Sequence, residues 1–209
     1  SAIEIANQKV WKENEEIFKK GKYNVSFISY DIKAKLDASN QHTFTVQKDH
    51  SFKQEMSILF KNKHKFGNSE KKLILSRIEV THEGTFEAAR RFKSKQIKEV
   101  CALNFASATK PGGGVKNGRT AQEETLSRQS SLYLSLITQP EMYEYHKRQR
   151  NPFYSDYMIY SPNVVVIRDE NNELTQPIRV SVISSAAVNK SEIDRAYGRG
   201  VRDLDVYKC

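Results

Sequence analysis

Residues 100–124 read VCALNFASATKPGGGVKNGRTAQEE, and this stretch decides the fold class that we predict for the chain. The apolar run Val100–Phe105 is typical of a buried strand, and a proline with three glycines follows it closely. Residues Gln122–Ile137 then show the apolar spacing of a helix. A strand, a glycine loop and a helix in this order indicate an α/β layered domain, in which ligands bind at the loop that leaves the strand.

The glycine run Gly112–Gly114 predicts a site for an anionic ligand. Glycine is needed where φ is positive or where a Cβ atom would prevent close approach, and backbone N–H groups in such a loop bind anions. The stretch has neither the Gly-Lys-Ser/Thr of a Walker loop nor the glycine spacing of a dinucleotide fingerprint. A flexible surface loop is the alternative interpretation, because glycine motifs give many false matches.

Gln122, Glu123 and Glu124 add carboxylate chemistry to the loop. Consecutive side chains on a helix diverge by about 100°, so we expect the two glutamates to have different tasks. The alternative is that both only complement the positive end of the helix dipole. That dipole lowers the pKa of a carboxyl group, whereas burial or a neighbouring carboxylate raises it, and a general acid needs the raised value.

Further helices and strands are predicted around this centre. A helix over residues 4–20 ends at Gly21, and a second helix has Thr85 as its cap and Glu87 in its first turn. Apolar patterns predict strands at Asn24–Tyr30, Thr43–Val46, Leu73–Val80, Val164–Ile167 and Ile178–Ile183. A turn at Asn171-Asn172 separates the last two of these strands.

The composition, with 38% hydrophobic and 28% charged residues in a chain of 209, is that of a globular domain with a core. No stretch approaches the roughly 20 apolar residues of a membrane span, so we expect no membrane partner. The net charge of +9 favours anionic partners, although a solvated lysine surface explains it equally well. The two cysteines indicate a reducing, cytoplasmic compartment, with Cys101 as a buried thiol. The histidines lack metal-ligand spacing, so we expect no metal.

Three segments together, Asn104–Val115, Gln122–Glu124 and Ser130–Tyr133, resemble the microbial-type poly(ADP-ribose) glycohydrolase family. Its signature is a triple glycine followed, after a short spacer, by Gln-Glu-Glu. Later segments, Tyr160–Val164 and Val182–Ala187, are also similar to strands of the family. The resemblance implies a macrodomain-like three-layer α/β fold with a mixed central sheet flanked by helices.

The resemblance also implies the domain organisation. We expect one macrodomain-like domain over residues 1–209, with 1–70 as an N-terminal helical and polar extension and 71–190 as the best-matched core. The family continues with another strand and a second glycine-containing loop, which residues 191–209 do not contain. Ala187-Val188-Asn189 also replaces the Ala-Pro-Asn found in many members. We therefore expect either that the C-terminal part is truncated or that this member lacks part of the site.

The implied roles fall on the glycine loop and the acidic tripeptide. Glu124 would protonate the leaving oxygen of a ribose–ribose bond, Glu123 would hydrogen-bond the neighbouring ribose hydroxyl, and Gln122 would position the loop. Asn104 and Ser107 would lie near the distal ribose. The loop residues themselves would lie along the diphosphate and distal ribose of ADP-ribose: Gly112, Gly113, Gly114 and Val115.

The function implied is a hydrolase that cuts ribose–ribose O-glycosidic bonds of poly(ADP-ribose). Its partners would be the polymer or an ADP-ribosylated protein as substrate and ADP-ribose as product, with no cofactor. A non-catalytic module that binds ADP-ribose or a related NAD-derived nucleotide is the alternative. A basic nucleic-acid-binding α/β domain would leave the tripeptide unexplained, so we do not expect nucleic acid as a partner. Five tyrosines are candidates for stacking on adenine without any one being preferred: Tyr143, Tyr145, Tyr154, Tyr157 and Tyr160.

Overall fold

The computed structural model describes residues 1–47, 78–149, 151–188 and 190–198. The chain divides into two compact units, one comprising residues 1–48 and 84–209 and the other residues 49–83. In the second unit the described residues 78–83 form no helix or strand, so the strand predicted at Leu73–Val80 is wrong over its last three positions. Residues 73–77 lie outside the described part of the chain. No helix among the described residues is long and apolar enough to cross a membrane.

The first helix, α1 (Ala2–Lys20), forms as the sequence predicts. Ser1 caps its N-terminus in a capping box with Glu4, and Gly21 ends it with a φ of 70°. The strand predicted over 24–30 is wrong, because the segment folds into a hairpin of β1 (Lys22–Val25) and β2 (Ile28–Asp31). Ser26 turns the chain with a positive φ of 51°, which leaves Phe27 fully exposed at the tip.

The other strands that the structure describes make the central sheet, in the spatial order β3-β5-β6-β4. They are β3 (Phe44–Val46), β4 (Cys101–Ala106), β5 (Met158–Arg168) and β6 (Leu174–Ala186). β5 pairs antiparallel with both β3 and β6, whereas β4 pairs parallel with β6. The sheet is therefore mixed, and the predicted fold class is confirmed.

Helices cover the sheet in two groups. Besides α1, the described helices are α2 (Lys33–Gln41), α3 (Thr85–Ser94), α4 (Gln122–Gln129), α5 (Leu132–Leu136), α6 (Glu141–Gln149) and α7 (Lys190–Tyr197). Val164 and Val166 of β5 belong to a core cluster with α3, α4, α5 and α6, while Val165 and Ile167 belong to a second cluster with α1 and α2. Because successive strand residues face opposite sides, this division makes a helix–sheet–helix arrangement of three layers.

Two helix predictions need correction. Thr85 does not cap α3, since Gly84 is the N-cap and Thr85 is the first helical residue. The helix predicted over Gln122–Ile137 breaks into α4 and α5 at Ser130 and Ser131. Ser130 is extended and bridges to Val166, and the Ser131 N–H donates to the Val165 carbonyl at 2.9 Å. The apolar spacing continues through the break, so the sequence pattern alone does not reveal it.

Cys101 is exposed, and the prediction of a buried thiol is wrong. β4 alternates strictly, with Ala102, Asn104 and Ala106 buried and the residues between them exposed. Apart from Asn104 the sequence run is apolar, but only one face of this strand packs against the core.

Candidate functional site

The loop that follows β4 folds back over the start of α4. Gly112 and Gly113 adopt positive φ angles of 67° and 56°, a region that glycine enters without strain. The Gly113 N–H donates to the Lys110 carbonyl at 3.0 Å, and a 3₁₀ turn over Val115–Asn117 leads on towards α4. This path places the glycines directly beside the side chains of Glu123 and Glu124.

Glu123 is buried, with 3% of its surface exposed. Its carboxylate accepts hydrogen bonds from the Ser107 N–H at 2.7 Å, the Gly112 N–H at 3.2 Å and the Asn104 side-chain amide at 3.4 Å. The pKa of Glu123 is raised to about 7, chiefly by burial and also by the charge of Glu124, while the three donors act in the opposite direction. This carboxyl group therefore titrates closer to neutral pH than an ordinary glutamate.

Glu124 is 9% exposed and also lies beside Gly113. One of its oxygens accepts the Gly114 N–H at 2.8 Å. The second oxygen accepts no hydrogen bond from any residue that the structure describes. Glu124 therefore keeps a free acceptor position, whereas both oxygens of Glu123 are engaged.

Gly113 has no room for a side chain. A Cβ atom there would lie 2.5 Å from Oε1 of Glu124 and 3.2 Å from Oε2 of Glu123. The absence of a Cβ thus lets both carboxylates approach the same backbone position. The sequence suggests this crowding only through the run of three glycines.

The loop amides have acceptors within the protein. The Gly112 and Gly114 N–H groups donate to the two glutamates, and the Val115 N–H donates to the Gly112 carbonyl at 3.1 Å. In this structure the amides therefore hold the carboxylates in place. The contact of Gly112–Val115 with a diphosphate, which the resemblance implies, stays a prediction.

Gln122 ties α4 to the outer edge of β4. Its side-chain oxygen accepts the Phe105 N–H at 2.8 Å, and its side-chain nitrogen donates to the Leu103 carbonyl at 2.8 Å. β4 is the last strand of the described sheet, so the glutamine amide pairs with it as a neighbouring strand would. This pairing fixes where α4 begins and hence where the two glutamates lie.

Asn104 lies under Glu123 and is fully buried. Its amide nitrogen donates to the Ser184 hydroxyl at 3.0 Å as well as to Glu123. Its side-chain oxygen has no hydrogen-bond partner among the described residues. Asn104 thus links β4, β6 and Glu123 without itself lining the open cleft.

A cleft of about 850 Å³ opens beside the carboxylates. Of the residues predicted for the site, Glu123, Glu124 and Ser107 line it, while Gln122, Asn104, Val115 and the three glycines do not. Sequence reasoning named Tyr154 only as one of five candidate tyrosines, and it missed several other lining residues, including Phe105, His146, Lys147, Val188 and Glu192. Only the tyrosine-rich stretch pointed to any of them.

His146 connects α6 to the loop that leaves β4. It is buried, and its Nδ1 lies 3.1 Å from the Ala108 carbonyl and its Nε2 2.7 Å from the Ser155 hydroxyl. A carbonyl only accepts, so Nδ1 carries the proton and Nε2 of the neutral ring accepts from Ser155. Burial lowers the pKa of His146, which favours this neutral form.

The first turns of α1 support the glycine loop from behind. The Asn7 side chain donates to the Gly118 carbonyl at 2.9 Å, and the Trp11 ring meets the Tyr133 ring edge-on at 5.0 Å. Tyr133 in turn lies against Gly112, where a Cβ atom would come within 2.7 Å of its ring. The chain Trp11–Tyr133–Gly112 therefore connects α1 to the carboxylates.

Substituting Gly118 with alanine should destabilise the protein by more than about 2 kcal/mol. Gly118 has a φ of 78°, and a Cβ atom there would overlap the carbonyl oxygen of Glu4 and lie 2.8 Å from its carbonyl carbon. The measurement is urea unfolding, with Asn117→Ala as the control because Asn117 is an exposed neighbour in the same turn. Equal stability of the two variants would contradict the close approach of α1.

Glu123 should make folding stability depend on pH. Its pKa is 4.5 without perturbation and about 7 in the folded protein, so between these values the folded state binds a proton that the unfolded state has lost. Stability therefore rises as pH falls from 7 to 4.5, by about 3 kcal/mol from this group. Urea unfolding at pH 5 and pH 8 measures the difference. Glu123→Gln should remove this part of the pH dependence, and an unchanged slope would show that another group causes it.

Two carboxyl groups beside an open cleft can serve acid catalysis of glycosidic bond hydrolysis. Among the described residues, no group of three or more His, Cys, Asp or Glu side chains is placed to hold a metal ion. The family model for the catalytic domain of microbial-type poly(ADP-ribose) glycohydrolase matches residues 12–169. The chain belongs to the microbial-type poly(ADP-ribose) glycohydrolase family.

Solved structures of the same family are similar to this one. The glycohydrolase from Thermomonospora curvata is 35% identical with a TM-score of 0.81, and the match covers 97% of this chain and 70% of that chain. The same enzyme bound to the inhibitor ADP-HPD gives a TM-score of 0.79 at 35% identity, covering 97% of this chain and 69% of that chain. The glycohydrolase from Deinococcus radiodurans in complex with ADP-ribose is 35% identical with a TM-score of 0.63, covering 78% of this chain and 62% of that chain. The search among curated proteins returned no match.

Proposed function

We propose that this protein hydrolyses the ribose–ribose O-glycosidic bonds of poly(ADP-ribose) and releases ADP-ribose. The observation that carries the proposal is the approach of two carboxylates to one glycine, Gly113, at the edge of an open cleft. Family membership supports the same activity, and the Deinococcus relative was solved with ADP-ribose bound. The cleft volume of about 850 Å³ lies within the range of small-molecule and cofactor sites.

Glu124 is the group that we assign to the leaving oxygen. Its second oxygen is not engaged by the described residues, so it is available to a substrate, whereas Glu123 is held by three N–H donors. In the first step the Glu124 carboxyl gives its proton to the glycosidic oxygen. The bond between that oxygen and the anomeric carbon breaks, and its electron pair stays on the oxygen.

The second step uses the same carboxylate. Water attacks the anomeric carbon, and Glu124, now ionised, takes the proton that the water loses. In the usual two-carboxylate scheme the groups flank the bond, whereas here they are neighbours on one helix. Glu123 then serves to hold a ribose hydroxyl through its Oε2, which accepts a single hydrogen bond, from the Ser107 N–H, among the described residues.

The test is incubation of the protein with poly(ADP-ribose) and chromatographic detection of the products. We expect release of ADP-ribose without added metal or cofactor. If no ADP-ribose is released while ADP-ribose raises the melting temperature, the protein is a binding module and the hydrolase proposal fails. Tight binding of RNA or DNA with a steep salt dependence, and no effect of ADP-ribose, would also overturn it.

A further inference from the structure

The segment Ser130–Tyr133 resembles the family in sequence but has no task in the chemistry proposed above. It forms the break between α4 and α5, and Tyr133 at its end is half-buried. Tyr133 does not line the cleft, so it does not reach a substrate that is bound there. Any effect of this tyrosine on the reaction therefore passes through the groups that its ring contacts.

The backbone before Tyr133 is fixed to the central sheet. Ser131 exchanges two hydrogen bonds with Val165 of β5, since its N–H donates to the Val165 carbonyl at 2.9 Å and its hydroxyl accepts the Val165 N–H at 3.0 Å. The Ser130 hydroxyl accepts the N–H of the fully buried Leu132 at 3.2 Å. The two serines thus fix the start of α5, and the Tyr133 side chain leaves from a well-anchored position.

The ring of Tyr133 fills the space in which Gly112 has no side chain. A Cβ atom at Gly112 would lie only 2.7 Å from Cδ2 of the ring. On another side the ring meets the buried Trp11 edge-on, with the two centroids 5.0 Å apart. The ring therefore separates α1 from Gly112, whose N–H donates to the Glu123 carboxylate at 3.2 Å.

The same tyrosine contacts the far end of the glycine loop through Lys116. The Lys116 Nζ lies 5.0 Å from the centre of the Tyr133 ring, and a hydrogen bond from Lys116 to Tyr133 raises the pKa of this lysine. Gly114 lies between the two contacts, and its N–H donates to Glu124 at 2.8 Å. Tyr133 therefore contacts both ends of the segment Gly112–Lys116, which carries the two N–H groups that bind the carboxylates.

We propose that Tyr133 is a positioning residue for the hydrolysis, because its ring holds the segment Gly112–Lys116 in the conformation that places Glu123 and Glu124. The inference rests on the proposed function, which assigns these two carboxylates their chemistry. Glycine has more backbone conformations than other residues, so a glycine-rich loop needs a contact from outside to stay in one of them. Catalytic groups that move by about 1 Å lose on the order of 10²-fold in rate.

The decisive variant is Tyr133→Leu, which removes the ring from Gly112 and keeps some apolar bulk. Tyr133→Phe keeps the ring on Gly112 and loses only the hydroxyl near Lys116. Tyr30→Leu is the matched control, because Tyr30 is a half-buried tyrosine of the β1–β2 hairpin, with its ring 5.6 Å from that of Tyr23. Melting temperatures establish that each variant is folded.

The first measurement is amide hydrogen exchange at Gly112 and Gly114, followed by NMR. Both amides should be protected in the wild type, because each donates to a carboxylate. Tyr133→Leu should speed their exchange by at least about 10-fold, while the amides of the central sheet change no more than they do in Tyr30→Leu. A loss of overall stability would speed the exchange of loop and sheet amides alike, so only a local effect reports this contact.

The second measurement is the initial rate of ADP-ribose release from poly(ADP-ribose). Tyr133→Leu should lower kcat by about 10- to 100-fold, because both carboxylates lose their fixed donors. Tyr133→Phe and Tyr30→Leu should stay within about threefold of the wild type, since neither changes the contact with Gly112. Recovery of the rate by phenylalanine shows that the ring, and not the hydroxyl, places the loop.

The proposal is overturned if Tyr133→Leu leaves either the loop exchange or kcat at the wild-type value, or if Tyr133→Phe is equally damaging. Freely exchanging Gly112 and Gly114 amides in the wild type would also overturn it, and that result needs no variant that folds. A wild-type protein that does not cleave the polymer would refute the proposed hydrolysis. Faster loop exchange in Tyr133→Leu would then still show that the ring holds the loop, so the two failures are distinguishable.

Discussion

Replacing Glu124 with glutamine is expected to lower turnover of poly(ADP-ribose) by about 10²- to 10⁴-fold. Glutamine has no acidic proton to give to the leaving oxygen and no carboxylate to take one back from water. Its side-chain oxygen still accepts the Gly114 N–H, the one hydrogen bond that Glu124 makes among the described residues. The fold and the affinity for ADP-ribose should therefore be kept, and initial rates of ADP-ribose release measure the loss.

The control for this variant is Glu170→Gln. Glu170 is an exposed glutamate in the turn between β5 and β6 and does not line the cleft. The same change of charge there should leave the rate within about twofold of the wild type, since its charge reaches the cleft only through screening solvent. A Glu124→Gln protein with normal turnover would refute the assignment of the acid.

Replacing Gly113 with alanine should lower the rate by at least about 10²-fold, because misplaced catalytic groups lose most of their effect. The new Cβ would lie 2.5 Å from Oε1 of Glu124 and 3.2 Å from Oε2 of Glu123, so both carboxylates would have to move. The positive φ of 56° adds about 1–2 kcal/mol of strain for alanine. Rate measurements and urea unfolding on the same variant separate the two effects.

Gly84→Ala is the matched control for Gly113→Ala. A Cβ atom added at Gly84 would meet no other atom within 4 Å, and the backbone there is ordinary and extended, so alanine fits. We expect unchanged turnover and a stability loss below about 1 kcal/mol from the poorer N-cap. Similar rates for Gly113→Ala and Gly84→Ala would show that the crowding at Gly113 does not govern the carboxylates.

The sequence predicted those helix and strand boundaries that depend on neighbouring residues. α1 ends at Gly21, and β4 leads into the glycine loop, because capping residues and apolar runs act over a few neighbouring positions. The break at Ser130 and Ser131 was missed because its cause is a contact with β5, far along the chain. The hairpin at Ser26 was missed for a different reason, since serine rarely adopts a positive φ.

For the candidate site, too, the sequence predicted what depends on local spacing and missed what depends on long-range contacts. The spacing of the glycines and the tripeptide brought Glu123, Glu124 and Gly113 into one hypothesis, and the structure places them together. Their chemical roles stay predictions. The cleft wall at His146 and Tyr154 depends on α6 meeting the loop after β4, a long-range contact that no local pattern carries. Burial, which sets the pKa of Glu123, likewise follows only from the packed structure.

The most direct measurement of the central claim is a crystal structure of the Glu124→Gln protein with ADP-ribose. We expect the side chain of residue 124 to lie within about 3.2 Å of the anomeric hydroxyl of the distal ribose. We also expect Glu123 to hydrogen-bond the adjacent ribose hydroxyl. A distal ribose bound outside the cleft, with residue 124 beyond the reach of even one bridging water, would contradict the assignment of Glu124 as the acid.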